Sequence, residues 1–240
     1  KRFGEEVEMK RMLLWLATLL VPVVIVLMAV RVILLPWFVA LEYHTPGFPE
    51  DQYGFTLEER LQYADSGRKY ILSDPEVPSL ANQRFPAGQL VPDFSCQFMD
   101  DCSLMYNERE VQHMLDVRNT VSSAMRVLWI CLFACLVLGI LAWKAGWVSE
   151  YQLALRRGGW LTLIIMGGVI AFVLLAFGVI FVYFHQMFFQ EGTWRFYYSD
   201  TLIRLFPERF WRDAFLVVGL VTTALAGALI RFSGAKKTKN

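Results

Sequence analysis

Apolar residues are concentrated in four long runs along the chain. The runs cover about 12–39, 122–143, 160–184 and 214–230. A helix rises about 1.5 Å per residue, so roughly 20 apolar residues cross the hydrocarbon core of a bilayer. The pattern therefore predicts an all-α membrane protein whose four transmembrane helices form one bundle, in a single integral membrane domain over residues 1–240.

Two longer and more polar segments, about 41–121 and 185–212, connect these runs. Basic residues stand before the first run, between the second and third, and after the fourth: Lys10, Arg11, Lys144, Arg156, Arg157, Arg231, Lys236, Lys237 and Lys239. The positive-inside rule then predicts that both termini lie in the cytoplasm. We expect the two polar segments to form an extracytoplasmic cap of short helices and loops on a multi-pass membrane protein.

Composition agrees with the bilayer, since 56% of the residues are hydrophobic and only 19% are charged. The net charge of +1 argues against a nucleic-acid partner, which calls for a strongly basic face. The sequence has no H-E-x-x-H spacing and no phosphate-binding glycine loop. We therefore expect no metal site and no phosphate-bearing cofactor.

Local spacing predicts two features of the first polar segment. Thr56 and Glu59 stand three residues apart, as in a capping box, and predict a short helix that continues toward Tyr70 with a break near Gly67. Cys96 and Cys102 could close a small disulfide-bonded ring on the oxidising side of the membrane. The alternative for this pair is two free thiols.

The second polar segment is rich in aromatic and arginine side chains, which suit the headgroup layer of a membrane. Ser199 or Asp200 is placed to cap a short helix over residues 201–206, which Pro207 ends. An ordinary aromatic belt is the alternative interpretation of this segment.

Candidate chemistry lies just before the second run. Asn107 and Glu110 have capping-box spacing, and the helical period then puts Glu110, His113 and Asp116 on one face. His185 stands at the outer end of the third run, where it could meet His113 in a bundle. Two imidazoles could serve as general base and as oxyanion stabiliser or proton relay. The alternative is a solvated helix end whose charges pair with each other.

Two stretches resemble a family of small four-span bacterial membrane proteins, the lipoprotein intramolecular transacylases. The first reads Glu110-x-x-His113-Met114-x-Asp116-Val117. The second reads His185-x-x-Phe188-Phe189, followed by Trp194, Asp200-Thr201-Leu202-Ile203 and Leu205-Phe206-Pro207-x-x-Phe210-Trp211.

The resemblance implies that an acyl chain moves from the glyceryl ester of a diacylglyceryl lipoprotein to its N-terminal cysteine amine. It implies that His113 is the base and that His185 steadies the oxyanion or the base. No cofactor is implied, because an ester is exchanged for an amide. Supporting or lipid-binding roles are expected for Glu110, Asp116, Arg118, Asp200 and Arg204.

A non-catalytic role remains the alternative. The aromatic interface and the long first polar segment would also suit an accessory subunit of a larger membrane complex, for example an energy-converting or photosynthetic one. Such a relative could keep the bundle without the activity, since fold does not fix function.

Overall fold

The computed structural model describes residues 2–73, 79–86, 88–89, 91–92, 96–97 and 99–234. Three of the basic residues used to predict the orientation, Lys236, Lys237 and Lys239, lie outside the described residues. The helices are α1 (Arg2–Ile33), α2 (Pro36–Tyr43), α3 (Leu57–Ile71), α4 (Glu108–Lys144), α5 (Val148–Phe188), α6 (Thr201–Leu205) and α7 (Glu208–Phe232), with a 3₁₀ turn at Leu80–Asn82. Extended pairing in this part of the chain is limited to one isolated bridge, between Arg84 and Leu104.

Four of these helices, α1, α4, α5 and α7, are long and apolar enough to cross a membrane. This confirms the all-α membrane fold. The structure differs from the expectation in the first run, 12–39, because α1 ends at Ile33 and α2 begins at Pro36. Proline lacks an N–H and disfavours helical backbone in the residue before it, and Leu35 is accordingly extended, with φ −75° and ψ 156°.

The contacts divide the chain into two compact units. The bundle unit comprises Lys1–Val32, Ala124–Leu174 and Leu216–Asn240, and the loop unit comprises Ile33–Ser123 and Leu175–Phe215. The expectation of a single domain stays a prediction, and each unit is described by itself.

The bundle unit packs parts of all four long helices through small side chains. Ala17 of α1, Leu138 of α4 and Ala154 of α5 form one buried cluster. Ala226 of α7 packs in another with residues of α1. Small residues let helices approach closely in lipid, where burial of apolar surface gives little driving force.

The loop unit has a core of its own. Its buried residues are Phe55, Leu80, Met105, Tyr106, Met114, Leu202 and Leu205. The core therefore joins the start of α4 to α6 and to the turn at Leu80–Asn82. It also fixes the segment on which the histidine of α4 stands.

Helix α3 begins at the predicted capping box. The Thr56 hydroxyl accepts from the Glu59 N–H, and the Glu59 carboxylate accepts from the Thr56 N–H. The expected break near Gly67 is wrong, since α3 runs unbroken to Ile71. Gly67 is buried there, and a Cβ at this position would lie 3.5 Å from the Phe206 ring.

Two further features hold the loop unit together. Arg204 and Asp51 form a buried ion pair in which each side chain is 1% exposed. Arg60 donates to the carbonyl oxygens of Pro49, at 2.7 Å, and Arg204, at 2.8 Å. Separately, Cys96 and Cys102 form a disulfide with Cα atoms 5.1 Å apart.

Candidate active site

The first turn of α4 is fixed by the predicted capping box. The Glu110 N–H donates to Asn107 Oδ1 at 3.0 Å, and the Asn107 N–H donates to Glu110 Oε2 at 2.9 Å. His113 follows one turn later on the same helix. The position of its ring therefore depends on a helix end that is held from both sides.

Glu110 also caps a second helix. Its Oε1 accepts from the Leu202 N–H of α6 at 2.7 Å. Asp200 occupies the N-cap position of α6, as predicted, but its carboxylate does not cap the helix. That carboxylate accepts instead from the Tyr197 N–H, from Asn107 Nδ2 and from Arg109 Nη2. The result is a buried polar network that ties α4 to the segment around α6.

The two histidines lie close together, as the sequence predicted. Their ring centroids are 6.1 Å apart, and the ring planes differ by 19°. Both side chains are buried, with residue exposures of 8% for His113 and 9% for His185. The two imidazoles therefore lie together in one buried site.

An aromatic cage surrounds the histidine pair. It consists of Phe181, Phe184, Phe189, Trp194 and Phe196. The Phe189 ring contacts both imidazoles, at 4.9 Å from His113 and 5.5 Å from His185. Phe189 and Trp194 belong to the motif quoted above, whereas the sequence did not single out Phe181, Phe184 and Phe196.

The tautomer of His185 follows from its backbone contact. Its Nδ1 lies 2.8 Å from the carbonyl oxygen of Phe181, one turn back on α5. Because a carbonyl oxygen only accepts, Nδ1 must carry the proton, and Nε2 of the neutral ring is then an acceptor. His113 differs, since its buried Nδ1 has no hydrogen-bond partner among the described residues.

Glu110 and Asp116, for which supporting roles were expected, do not bond to the His113 imidazole directly. Both oxygens of Glu110 accept from backbone N–H groups, and Asp116 accepts from Gln112 Nε2 at 3.1 Å. Glu110 therefore acts on His113 through the helix end rather than through the imidazole. The sequence missed this because the partner N–H of Leu202 is 92 residues away.

The remaining predicted residues have structural contacts. Arg204 pairs with Asp51 inside the loop unit, which favours a supporting role over lipid binding. Arg118 donates to Ser73 Oγ at 2.9 Å. Arg109, which the helical period places beside the face of Glu110 and His113, donates to Asp200, and its guanidinium carbon lies 5.6 Å from the Phe196 ring centroid.

The clustering of possible metal ligands is a further feature of the site. Among the described residues, no group of three or more His, Cys, Asp or Glu is arranged to hold a metal ion. The two imidazoles can transfer protons and form hydrogen bonds.

The family model for lipoprotein intramolecular transacylase Lit matches residues 14–211 of this chain. A protein of Aquifex aeolicus (strain VF5), described as uncharacterized, is 28% identical over an alignment of 233 residues that covers 94% of this chain and 94% of its own.

Structures of Bacillus cereus Lit, a membrane-integral lipoprotein intramolecular transacylase, share the fold. One matches with a TM-score of 0.71 at 21% identity and covers 94% of this chain and 96% of its own. A variant with one histidine replaced by alanine matches with a TM-score of 0.70 at 17% identity and covers 97% and 96%. The family match spans most of the chain and confirms the resemblance seen in the two motifs. The chain therefore belongs to the lipoprotein intramolecular transacylase family.

Proposed function

We propose that this protein transfers an acyl chain within a diacylglyceryl lipoprotein, from the ester at the second glycerol position to the N-terminal cysteine amine. The product is an N-acylated lyso-lipoprotein. The observation that carries the proposal is the buried histidine pair, 6.1 Å apart, in a chain of this family. The basic residues that flank the spans support cytoplasmic termini and a site on the outer face.

The reaction balances without a co-reactant. The amine nitrogen forms a bond to the acyl carbon, and the ester bond between that carbon and the glyceryl oxygen breaks. The proton lost by the amine ends on the released glyceryl hydroxyl. An α-amino group has a pKa of about 8, so a single imidazole suffices to move this proton near neutral pH.

The geometry favours a division of roles within the pair. His185 has Nδ1–H held by the Phe181 carbonyl, which leaves Nε2 as the proton acceptor. We therefore infer that His185 Nε2 takes the amine proton and that His113 contacts the developing charge or relays the proton. The family resemblance implied the reverse assignment, with His113 as base. The two assignments predict different activities when each histidine is substituted.

Glutamine substitution separates the roles, because an amide donates a hydrogen bond but does not act as a base at neutral pH. His185→Gln is expected to lower the rate by at least about 100-fold, the scale of general-base catalysis. His113→Gln is expected to retain more activity than His185→Gln. The reverse order would restore His113 as the base.

The assay is mass spectrometry of lipoprotein N-terminal peptides after incubation with purified protein. His44→Gln is the matched control, because His44 is exposed, follows the end of α2 and lies with its Nδ1 2.7 Å from the Ala40 carbonyl oxygen. Thermal unfolding checks that all variants fold. Full lyso-lipoprotein formation by both His113→Gln and His185→Gln would refute the roles given to the histidines. No product from the parental protein would refute the transacylase proposal and favour the accessory-subunit alternative.

A further inference from the structure

The indole of Trp194 is buried against the histidine pair. Its residue exposure is 8%, and its ring centroid lies 4.9 Å from that of His185. Its Nε1–H has no hydrogen-bond partner among the described residues. A buried indole N–H normally finds a partner.

Other buried polar atoms of the described residues also lack partners, but their settings differ. Arg60 and Arg204 keep further guanidinium nitrogens hydrogen-bonded. Tyr106 belongs to the apolar core of the loop unit. Among the described residues with an unpaired buried polar atom, His113 and Trp194 have rings that contact His185. Both unpaired atoms therefore belong to side chains of the candidate active site.

The proposed reaction needs a donor that His185 does not supply. When the amine attacks, the ester carbonyl oxygen becomes an oxyanion, which is stabilised by donors about 2.7–3.1 Å away. Neutral His185 spends its only N–H on the Phe181 carbonyl. An indole is a donor that does not titrate, so its N–H is available at every working pH.

A cation adds to this donor strength. The guanidinium carbon of Arg195 lies 5.5 Å from the centroid of the Trp194 ring. A cation at this distance interacts with the ring's π electrons and draws density from them. The N–H of a ring polarised in this way carries more positive charge.

We propose, on the basis of the proposed function, that the Trp194 N–H donates a hydrogen bond to the substrate's ester carbonyl oxygen and stabilises the oxyanion. Trp194 would then be a catalytic residue that touches the reacting group. The N–H that is unpaired in the free protein gains its hydrogen-bond partner when the substrate's carbonyl oxygen binds.

The test replaces Trp194 in the full-length protein. Trp194→Phe keeps an aromatic ring and removes the N–H. β-(3-Benzothienyl)alanine at position 194 keeps the indole shape and replaces the N–H by sulfur, so it preserves the packing. Trp211→Phe is the control, since Trp211 is partly exposed and packs on Phe206 and Phe210.

The substrate is a synthetic diacylglyceryl-cysteinyl lipopeptide with a free α-amine, followed by mass spectrometry. Both position-194 variants are expected to lose about 100-fold in kcat with little change in KM, the scale of losing one oxyanion donor. Trp211→Phe is expected to keep the parental kcat. A kcat within twofold of the parent for the benzothienyl variant would overturn the inference. So would a raised KM with unchanged kcat, because the N–H would then bind ground state and transition state equally.

The failure of this inference is distinguishable from that of the proposed function. If the glutamine variants of the histidines lose activity while both position-194 variants keep it, the transacylase proposal stands and the role of Trp194 falls. If the parental protein forms no lyso-lipopeptide, the transacylase proposal fails, and the role of Trp194 fails with it.

Discussion

Asp51→Asn tests how much of the loop unit's stability depends on one buried ion pair. Asp51 Oδ1 accepts from Arg204 Nε and Oδ2 from Arg204 Nη2, each at 3.0 Å. The Phe55 N–H adds a third hydrogen bond at 2.7 Å, and the Arg204 guanidinium carbon lies 3.8 Å from the Phe55 ring centroid. The pair thus anchors α6 to the segment before α3.

The substitution leaves a buried guanidinium without its counter-charge. Breaking a buried pair from one side costs about 3–5 kcal/mol, and asparagine retains one acceptor oxygen, so we expect about 3 kcal/mol. In a chain of this length, 1 kcal/mol moves Tm by roughly 2–4 °C, which gives a fall of roughly 6–12 °C. Arg204→Met is expected to act in the same direction, because it leaves Asp51 unpaired.

The pH dependence gives a second signature. Burial opposes ionisation of Asp51, but the hydrogen bonds from Arg204 and from the Phe55 amide outweigh it, and the pKa of Asp51 is lowered. The ionised carboxylate therefore stabilises the fold above its unfolded pKa of about 4, and that stabilisation is lost as pH falls through the lower folded pKa. The Tm difference between parent and Asp51→Asn should shrink at the acid end of the range.

Thermal unfolding in detergent, followed by near-ultraviolet circular dichroism, measures these differences. Asp101→Asn is the matched control, because Asp101 pairs with Arg84 at 2.8 Å while the two side chains are 46% and 59% exposed. Exposed pairs contribute about 0–1 kcal/mol, so this control should barely move Tm. Equal Tm values for Asp51→Asn and Asp101→Asn would refute the assigned importance of the buried pair.

Two further substitutions probe a buried acid and a helix contact. Burial, and then the Asp213 carboxylate, raise the pKa of Glu42 from 4.5 to about 7, so stability should fall as pH rises through that window. Glu42→Gln should remove this decline, and parallel Tm curves for variant and parent from pH 5 to 8 would contradict it. A Cβ on Gly158 would lie 2.5 Å from Val21 Cβ, whereas one on Gly167 meets nothing within 4 Å. Gly158→Ala should therefore lower the free energy of unfolding by about 1–3 kcal/mol, which is measured as a lower Tm in thermal unfolding. Gly167→Ala should leave Tm unchanged.

Features set by residues near one another in the sequence were predictable. The capping boxes at Thr56 and Asn107 depend on side chains three positions apart, and both form in the structure. The four long helices follow from apolar runs whose length matches a bilayer. The end of α1 was missed because the apolar run continues through Pro36. The helix does not continue, since Leu35, the residue before this proline, has an extended backbone.

Features that join distant residues were not predictable from local pattern. Asp51 and Arg204 are 153 positions apart, and neither sits in a spacing that signals an ion pair. The approach of His113 to His185 was expected from the topology and the family motifs. The missing hydrogen-bond partner of the Trp194 N–H could not be predicted from the sequence, because it depends on all the neighbours of the indole in space.

The cap that Glu110 provides for α6 has a consequence for how the protein is made. Glu110 leaves the ribosome 92 residues before Leu202, the residue whose N–H it accepts. A helix of five residues does not persist by itself in water. Residues 201–205 therefore become helical only when they pack on residues that were synthesised earlier. In a nascent chain that stops before Leu202, the Glu110 carboxylate has one of its two backbone N–H partners, that of Asn107. A substitution at Glu110 would act during biogenesis, before any substrate is met.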